Sequence, residues 1–553
     1  MSTPPSPSQP GSPATPAVKA APSLLKAAGL IALVTLLSKF LGLIRDWAIM
    51  YMYGASLATD AYYAAFQIPS FAIVLLGGLG GPFHTATVAI FAKLIPDAQK
   101  PGDHANRLAN VFLLLTGGAG LVLSVLVFLL ADPIMNLLLP GADSQLIHTA
   151  AAQMRVMSPI VLIGSLVGIY YGLLNVYNSF LWPSLSPTAM SIVILIGLLL
   201  NPDDQTGMVL AWATLGGAVG QFVLQLPDYT RFGFRWRLPA WLGLSRWRRE
   251  LPELNQLGEM LFPAMIGTTT GQLNVYVDMF FTSRLAVGGW SAVTLSNRLM
   301  QFPIGILQTA LLVPIFPRFS RSVGSQDWDN LRRDFHLGVV TLWLISIPML
   351  VALILYVKPI IALVFQHGRF SAEDTDLVSM ALIFQSFQML PYFARDSITR
   401  VFYAFGDSRT PLMVGLASIV FKALLDWALV DRFGVGGITF STALVTLINM
   451  TLLFALSRRH IADMGFRRLI LPFLKLTLAG ALMALLVIGM DHWLGGLLPV
   501  LAPPRSQTLI VMTLTLAMGT LLYSAATLLL KVEEAAYLFA RLREPVLARL
   551  KRR

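Results

Sequence analysis

This chain of 553 residues contains fourteen long apolar segments, and these segments constrain its fold. An α-helix needs about 20 mainly apolar residues to cross a lipid bilayer. Only 12% of the side chains are charged, against about 25% in an average soluble domain. A soluble multidomain enzyme is therefore excluded, and the sequence predicts an all-α polytopic membrane protein. The predicted spans are 24–45, 58–81, 107–131, 150–174, 184–200, 207–226, 257–283, 291–316, 336–357, 377–404, 411–430, 436–457, 470–490 and 507–530.

The charges in the connections alternate along the chain. Basic residues gather at 93–107, 231–249, 318–333, 409, 458–468 and 541–553, whereas the intervening connections are acidic or sparse. Cytoplasmic loops of membrane proteins carry the excess of Lys and Arg, so both termini are predicted to be cytoplasmic. The net charge of +12 then mainly reports topology. The Arg, Trp and Phe residues of 231–249 favour a connector on lipid headgroups over a nucleic-acid site.

Two short patterns recur six spans apart. Gln67-Ile68-Pro69 in span 2 is echoed by Gln301-Phe302-Pro303 in span 8, and Tyr171-Gly172 before Pro187 is echoed by Tyr403-Ala404 before Pro411. An even offset gives both units the same orientation, as in transporters that bind substrate between parallel repeats. The predicted organisation is a disordered cytoplasmic tail (1–22), an N-terminal lobe (23–227), a cytoplasmic connector (228–256), a C-terminal lobe (257–460), spans 13 and 14 (461–530) and a basic cytoplasmic tail (531–553).

Polar residues at membrane depth are the candidate site. Span 8 carries a stripe that includes Thr294, Arg298, Gln301 and Gln308 at helical spacing. Arg298 lies roughly 10–12 Å in from Trp290, too deep to reach the interface without strain. Asp60 lies on a polar face of span 2. The intramembrane cations outnumber the acids and are Lys39, Arg45, Arg298, Arg395 and Arg400.

A cavity with surplus positive charge suits an anionic substrate, because phosphates or carboxylates offset the cost of burying the cations. For two charged pairs, a structural role is the alternative to a role in the cavity. Arg45 is close enough to the end of span 1 to be an interfacial anchor paired with Asp46, and Lys422 with Asp426 is predicted to be a structural i,i+4 pair. Arg395 and Asp396 are sequence neighbours, so each needs a partner elsewhere.

Neither a nucleotide-binding motif nor a catalytic constellation occurs in the sequence, so the chain is predicted not to be an enzyme and to need no cofactor. It also contains no cysteine. Energy would come from the membrane potential, an ion gradient or the substrate gradient. Prolines and glycines inside spans mark predicted bends. The predicted hinge or gating positions are Gly42, Pro69, Gly77, Gly78, Pro303 and Pro391.

Four motifs resemble those of the MurJ (MviN) lipid II flippase family of the multidrug/oligosaccharidyl-lipid/polysaccharide exporter superfamily. They are SKFLGLIRD at 38–46 with GA at 54–55 and ATDAY at 58–62, NRLMQFP at 297–303, FQHGRFSAEDT at 365–375, and RVFYAFGDSRTP at 400–411. The resemblance covers residues 23–530. It implies two six-helix lobes around a cationic cavity, with spans 13 and 14 flanking a groove for a polyprenyl tail.

The resemblance also implies a function. A chain of this family would move lipid-linked peptidoglycan precursor from the cytoplasmic to the outer leaflet of the bacterial plasma membrane by alternating access, and cell-wall synthesis proteins are expected as further partners. Arg45 and Arg298 match cavity arginines expected to meet the diphosphate, and Ser38 and Asp60 match neighbouring motif positions. Export of another polyprenyl-diphosphate oligosaccharide is the alternative substrate. A non-transporting scaffold is the alternative class, and the deep polar stripe argues against it.

The chain departs from the family pattern at three places. Lys39 stands where the family has arginine, which keeps the charge but loses the planar two-pronged donor. Asn297 and Gln301 replace acids. The basic pair usual after Pro69 is absent. Two cations and two acids are therefore lost together, and the local charge balance stays similar.

Overall fold

The computed structural model describes residues 21–77, 81–95, 100–236, 247, 250–461, 463–497 and 504–536, and within these ranges it is α-helical without a β-strand. This confirms the predicted fold class. The tail 1–20, most of the connector 237–249 and the tail 537–553 lie outside the described residues. The helices are α1 (Ala21–Tyr53), α2 (Leu57–Ala72), α3 (Pro82–Leu94), α4 (Asp103–Leu129), α5 (Ala131–Leu138), α6 (Ser144–Met157), α7 (Pro159–Val176), α8 (Leu181–Leu200), α9 (Met208–Val223), α10 (Leu226–Arg231), α11 (Glu253–Thr282), α12 (Gly289–Leu307), α13 (Val313–Gly324), α14 (Trp328–Phe365), α15 (Ala372–Ser386), α16 (Met389–Ala404), α17 (Arg409–Ser457), α18 (Phe466–Leu497) and α19 (Pro504–Leu529).

The apolar character of these helices fits a membrane protein. In the described ranges, eight helices are long and apolar enough to cross a bilayer, or nine when α15 and α16, bent by 43°, count as one span. Predicted spans 11 and 12 are the two arms of α17, which reverses at Gly434 (φ 55°, ψ −131°). Predicted spans 1 and 7 lie in α1 and α11, whereas predicted spans 2 and 8 begin in α2 and α12 and run beyond the ends of these helices. The count of fourteen stays a prediction.

The predicted echo between spans 2 and 8 has a counterpart in the backbone. Pro69 lies inside α2, which continues into a π-helical turn at Ile73–Gly77, and α3 follows. Pro303 lies inside α12, which continues into a π-helical turn at Gln308–Leu312, and α13 follows. Proline removes a backbone donor, and π turns often mark functional sites. Both copies therefore carry a deformable point shortly after the proline.

The helices of each half pack mainly on one another. In the first half α4 and α3 pack on α7, α2 packs on α6, and α8 packs on α9 and α1. In the second half α11, α15 and α16 pack on α17, and α12 packs on α15. Contacts between the halves join α3 to α11 and α2 to α12. The last helices, α18 and α19, pack on each other and on α14.

Backbone hydrogen bonds join the two halves at the end that corresponds to the predicted outer side. Ser371 caps α15 by accepting the N–H of Asp374, and the carboxylate of Asp374 accepts the N–H of Ser371 at 3.0 Å and that of Ala55 at 3.2 Å. The N–H of Arg369 donates to the carbonyl of Tyr51 at 2.9 Å. We call the contacts of residues 51–60 with 288–291 and 368–374 the latch. The latch explains two of the four motifs, because FQHGRFSAEDT docks on the end of α1.

A side chain at Gly368 is expected to break the latch. Gly368 has φ +62°, and a Cβ there would clash with the backbone oxygen of Tyr51. A left-handed residue other than glycine costs about 1–2 kcal/mol before any clash. Gly368→Ala is expected to lower the midpoint of thermal unfolding, measured by tryptophan fluorescence in detergent. Gly267→Ala is the control, since a Cβ inside α11 there meets no atom within 4 Å. Equal midpoints for the two variants would contradict the packing at the latch.

The motif RVFYAFGDSRTP has a structural role in the turn between α16 and α17. The carboxylate of Asp407 accepts the backbone N–H of Thr410 at 2.9 Å and its hydroxyl at 2.7 Å, and His460 lies 3.0 Å away. Burial alone would raise the pKa of Asp407, but the hydrogen bonds from Thr410 and His460 outweigh burial and lower the pKa to about 2. Asp407 is therefore a stable anion that caps α17.

Candidate functional site

A carboxylate held between two arginines is the centre of the candidate site. Asp46 on α1 accepts from Nε of Arg45 at 3.0 Å and from its Nη2 at 2.8 Å. The same Oδ1 atom accepts from Nη1 of Arg298 on α12. The sequence places Arg45 on a different helical face from Asp46, but the long guanidinium stem folds back. The alternative Arg45–Asp46 pair is thus present, and Arg298 joins it through the same carboxylate.

An aromatic ring holds Arg298 from its other side. The guanidinium carbon of Arg298 lies 4.8 Å from the ring centre of Tyr63 on α2. Planar guanidinium groups stack on aromatic rings through the quadrupole of the ring. The side chain of Arg298 keeps 26% of its surface exposed, whereas that of Asp46 keeps 6%. Arg298 is therefore fixed in direction while about a quarter of its side-chain surface remains exposed.

Lys39 on α1 points toward α12, the helix that carries Arg298. A Cβ on Gly305 of α12 would lie 2.7 Å from Nζ of Lys39. The missing side chain at Gly305 makes room for the ammonium group, two turns beyond Arg298. Lys39 and Gln301 are exposed, and Ser38 is half-buried. The cluster is therefore open along the side that Lys39 and Gln301 line.

A second group of charges lies on α16. Nε of Arg400 lies 3.2 Å from Oδ2 of Asp396, one turn away, and Gln308 donates to the same oxygen at 3.4 Å. The guanidinium of Arg395 lies 4.7 Å from the ring centre of Tyr392. As predicted, Arg395 and Asp396 have separate partners. Gln308 connects this group to α12.

The polar stripe of α12 links the two groups. Arg298 and Gln308 are ten residues apart, which is about 15 Å along a helix. Arg45 and Arg298 pair with Asp46, and Arg400 pairs with Asp396, whereas no carboxylate partner is seen for Lys39 or Arg395 among the described residues. Five cations against two carboxylates leave a formal surplus of three positive charges. An elongated anion with several oxygens, such as a diphosphate, matches this arrangement.

Asp60 lies outside the cluster. Its two oxygens accept the N–H of Gly288 at 2.7 Å, and the N–H and hydroxyl of Ser291 at 2.7 and 2.6 Å. Asp60 thus supplies the negative charge that the first turn of α12 favours. It belongs to the latch and positions the helix that carries Arg298.

The predicted hinge positions fall in different surroundings. Helix α1 runs unbroken through Gly42, where a Cβ would meet no atom within 4 Å. Gly77 ends the first π turn, and Gly78 lies outside the described residues. Pro303 precedes the second π turn. The 43° bend between α15 and α16 lies just before Pro391.

Sequence reasoning placed Gln308 on the polar stripe and paired Asp46 with Arg45, but it missed Tyr63 and the contact of Asp46 with Arg298. Asp46 was visible in its motif, but its bridging position depends on rotamers. Tyr63 shares the polar face of α2 with Asp60, which was the available signal. Among the described residues, no group of three His, Cys, Asp or Glu side chains could hold a metal ion. Guanidinium and ammonium groups are the donors of this site, and such groups suit a phosphate or carboxylate.

Comparison with known sequences identifies relatives over most of the chain. The family model described as lipid II flippase MurJ matches residues 49–503. A probable lipid II flippase MurJ of Synechocystis sp. is 31% identical over 456 residues, which cover 80% of this chain and 83% of the relative. The lipid II flippase MurJ of Burkholderia cenocepacia is 29% identical over 469 residues, covering 83% of this chain and 88% of the relative.

Solved structures show the same fold. A lipid II flippase MurJ in an inward closed conformation superimposes with a TM-score of 0.73 at 22% identity, covering 90% of this chain and 98% of that one. An inward-facing multidrug resistance transporter of the MATE family, in the MOP superfamily, gives a TM-score of 0.60 at 15% identity, covering 78% and 98%. The chain therefore shares its overall fold with these two structures.

Proposed function

Because this chain belongs to the lipid II flippase MurJ family, we propose that it moves lipid II from the cytoplasmic to the outer leaflet of the plasma membrane for cell-wall synthesis. The observation that carries the proposal is the formal surplus of three positive charges among the cations of α1, α12 and α16, with Arg298 and Lys39 partly exposed. Each guanidinium can give a diphosphate two parallel hydrogen bonds. Membrane lipids and cell-wall synthesis proteins are the further partners proposed.

Asp46 gives the proposed site a way to bind and release its substrate. In the free protein Asp46 occupies the forks of Arg45 and Arg298. Phosphate oxygens compete for the same N–H groups, so part of their binding energy goes into displacing the carboxylate. Release then restores the Asp46 pairs. The exchange keeps the arginines paired in both states, which avoids the cost of isolated charges at membrane depth.

We propose that residues 23–227 and 257–460 are two lobes that move by alternating access. The paired π turns after Pro69 and Pro303 support a repeat and supply a deformable point in each lobe. The latch closes the outer end, and its hydrogen bonds must break when the site opens to that side. The basic connections support a cytoplasmic position for both termini. The proposed cycle draws on the membrane potential or an ion gradient and uses no cofactor.

An apolar groove beside the C-terminal lobe fits the polyprenyl tail. A cavity of about 420 Å³ lies between α18 and helices α14 to α17, and its lining is almost wholly apolar. It includes Trp343, Phe387, Pro391, Phe440, Leu447 and Phe473. Burying prenyl units there gains free energy in proportion to the apolar area removed from water. The C-terminal lobe and α18 would thus hold the tail together, while the cationic site carries the headgroup.

Narrowing this groove is expected to slow transport without removing the cationic site. Leu447 lines the groove and is 45% exposed, so a tryptophan there fills the groove with little strain in the core. Leu447→Trp is expected to reduce the rate of lipid II export severalfold in cells that depend on this chain. Leu485→Trp, on an exposed part of α18 outside the groove lining, is the matched control. Equal export by the two variants would contradict a role of the groove in transport.

A swap assay tests the substrate. We expect this chain to restore peptidoglycan synthesis in a bacterium depleted of its own lipid II flippase. Failure there, together with restoration of a different surface glycan in a matching export mutant, would favour another polyprenyl-diphosphate oligosaccharide. Both substrates share the diphosphate, so the cationic cluster alone does not distinguish them.

A further inference from the structure

The amino group of Lys422 lies in a closed oxygen cage inside the second half of the molecule. Lys422 is 1% exposed, and the two carboxylates beside it belong to Asp278, 6% exposed, and Asp426, 0% exposed. The cage, as we use the word, consists of Lys422 and five oxygen ligands from Asp278, Asp426, Ile438, Ser441 and Thr442. The cationic site described above does not include it.

The cage holds more oxygens than an ammonium group has protons. Nζ lies 3.0 Å from Asp426 Oδ1, 2.9 Å from the backbone oxygen of Ile438 and 2.9 Å from Thr442 Oγ1. It also contacts Ser441 Oγ and Asp278 Oδ1. A lysine has three N–H donors, so five close oxygens cannot each receive a straight hydrogen bond. Carboxylates, hydroxyls and a carbonyl around one positive point are instead the ligands of a hard metal cation.

Three helical segments meet at this point. Asp278 comes from α11, Lys422 and Asp426 from the first arm of α17, and Ile438, Ser441 and Thr442 from the second arm, beyond the reversal at Gly434. Ionisable groups that pair with one another and with backbone carbonyls inside a membrane commonly mark ion sites. The cage also contains two carboxylates, whereas a simple structural pair needs one.

We propose that Lys422 is a tethered cation occupying a coordination site for an alkali-metal ion. A monovalent ion in place of the ammonium would leave the formal charge of the cage unchanged, so Na⁺ and K⁺ are the ions that Lys422 replaces charge for charge. With the cation attached to the chain, this site cannot load or release an ion during a transport cycle. The proposal rests on the geometry of the cage and stands independently of the substrate that the protein carries.

Shortening Lys422 is expected to create a metal site. Lys422→Ser leaves the space and the five oxygens, so Na⁺ or K⁺ can enter. Lys422→Met is the matched control, because it removes the charge but keeps the stem in the cavity. A bound ion stabilises only the folded state, and the stabilisation grows with ion concentration. We expect the thermal midpoint of Lys422→Ser to rise by about 2–4 °C between choline chloride and NaCl or KCl of equal ionic strength.

The same comparison gives the contradicting outcomes. Wild type and Lys422→Met are expected to show no difference between the alkali salt and choline chloride, and Lys422→Ser/Asp426→Asn is expected to lose the response. An ordinary ion pair predicts that Lys422→Ser is as indifferent to Na⁺ and K⁺ as Lys422→Met, and that result would overturn the proposal. If Lys422→Ser does not fold, binding of radioactive ²²Na⁺ to the wild-type protein tests the proposal. We expect no saturable binding, and stoichiometric binding lost in Asp278→Asn would overturn the proposal.

Discussion

Arg298→Ala is expected to abolish growth of a cell in which this chain is the sole lipid II flippase. The change removes a guanidinium that Asp46 and Tyr63 hold in a fixed direction. Hydrogen bonds to charged groups are worth about 1.5–3 kcal/mol each, so losing a two-pronged contact lowers diphosphate affinity by about 100-fold or more. The remaining Arg45–Asp46 pair is neutral as a unit and attracts an anion weakly. Growth, with protein level measured by immunoblot, reports the result.

Two variants separate this loss from a general effect of removing arginine. Arg298→Lys keeps the charge but not the fork, and we expect partial growth because a lysine offers a point charge only. Arg459→Ala removes an exposed arginine near the end of α17 and should leave growth unchanged. Normal growth of Arg298→Ala at normal protein level would refute the assignment of the cationic cluster as the headgroup site.

Asp60→Asn is expected to open the latch. The carboxylate of Asp60 receives three hydrogen bonds from Gly288 and Ser291. An amide presents one oxygen and two N–H groups, so at least one N–H of α12 loses its acceptor and the charge at the helix start is lost. We expect a loss of about 2–4 kcal/mol in stability and easier opening toward the outside.

Cysteine labelling measures this opening directly. The chain has no cysteine of its own, so a single cysteine at Gln67, which faces Gln272 across the two halves, reports access between them. A membrane-impermeant maleimide added outside should label Gln67→Cys faster in the Asp60→Asn background. Asp143→Asn, at an exposed helix start without a side-chain cap bond, is the control. Identical labelling rates in the two backgrounds would show that Asp60 does not hold the latch closed.

The sequence predicts the membrane fold and most of the cationic site for a simple reason. Burying charge in lipid is costly, so cations such as Lys39 and Arg298 stand out from apolar spans without any coordinates. The stripe on α12 follows from helical spacing, and the structure joins it to Asp396 through Gln308. The partner of Arg395 is Tyr392, one turn away on the same helix, so helical spacing could also have predicted this contact.

Contacts that depend on rotamers and on long-range packing were not predictable. Asp46 bridges two arginines that are 253 positions apart in the chain, and no local pattern reports that. Asp60 shares a face with site residues but caps a helix in the other half. Lys422 and Asp426 are recognisable as an i,i+4 pair, whereas the third member, Asp278, comes from α11. The π turns follow the prolines by several residues, so proline marks the region of the break but not its place.

Leaflet-resolved labelling of lipid II tests the central claim most directly. In a bacterium that depends on this chain, a membrane-impermeant reagent that modifies the headgroup reports lipid II in the outer leaflet. After depletion of the protein, outer-leaflet labelling should fall while total lipid II rises, and Arg298→Ala should fail to restore the labelling that wild type restores. Unchanged outer-leaflet labelling after depletion would contradict the account.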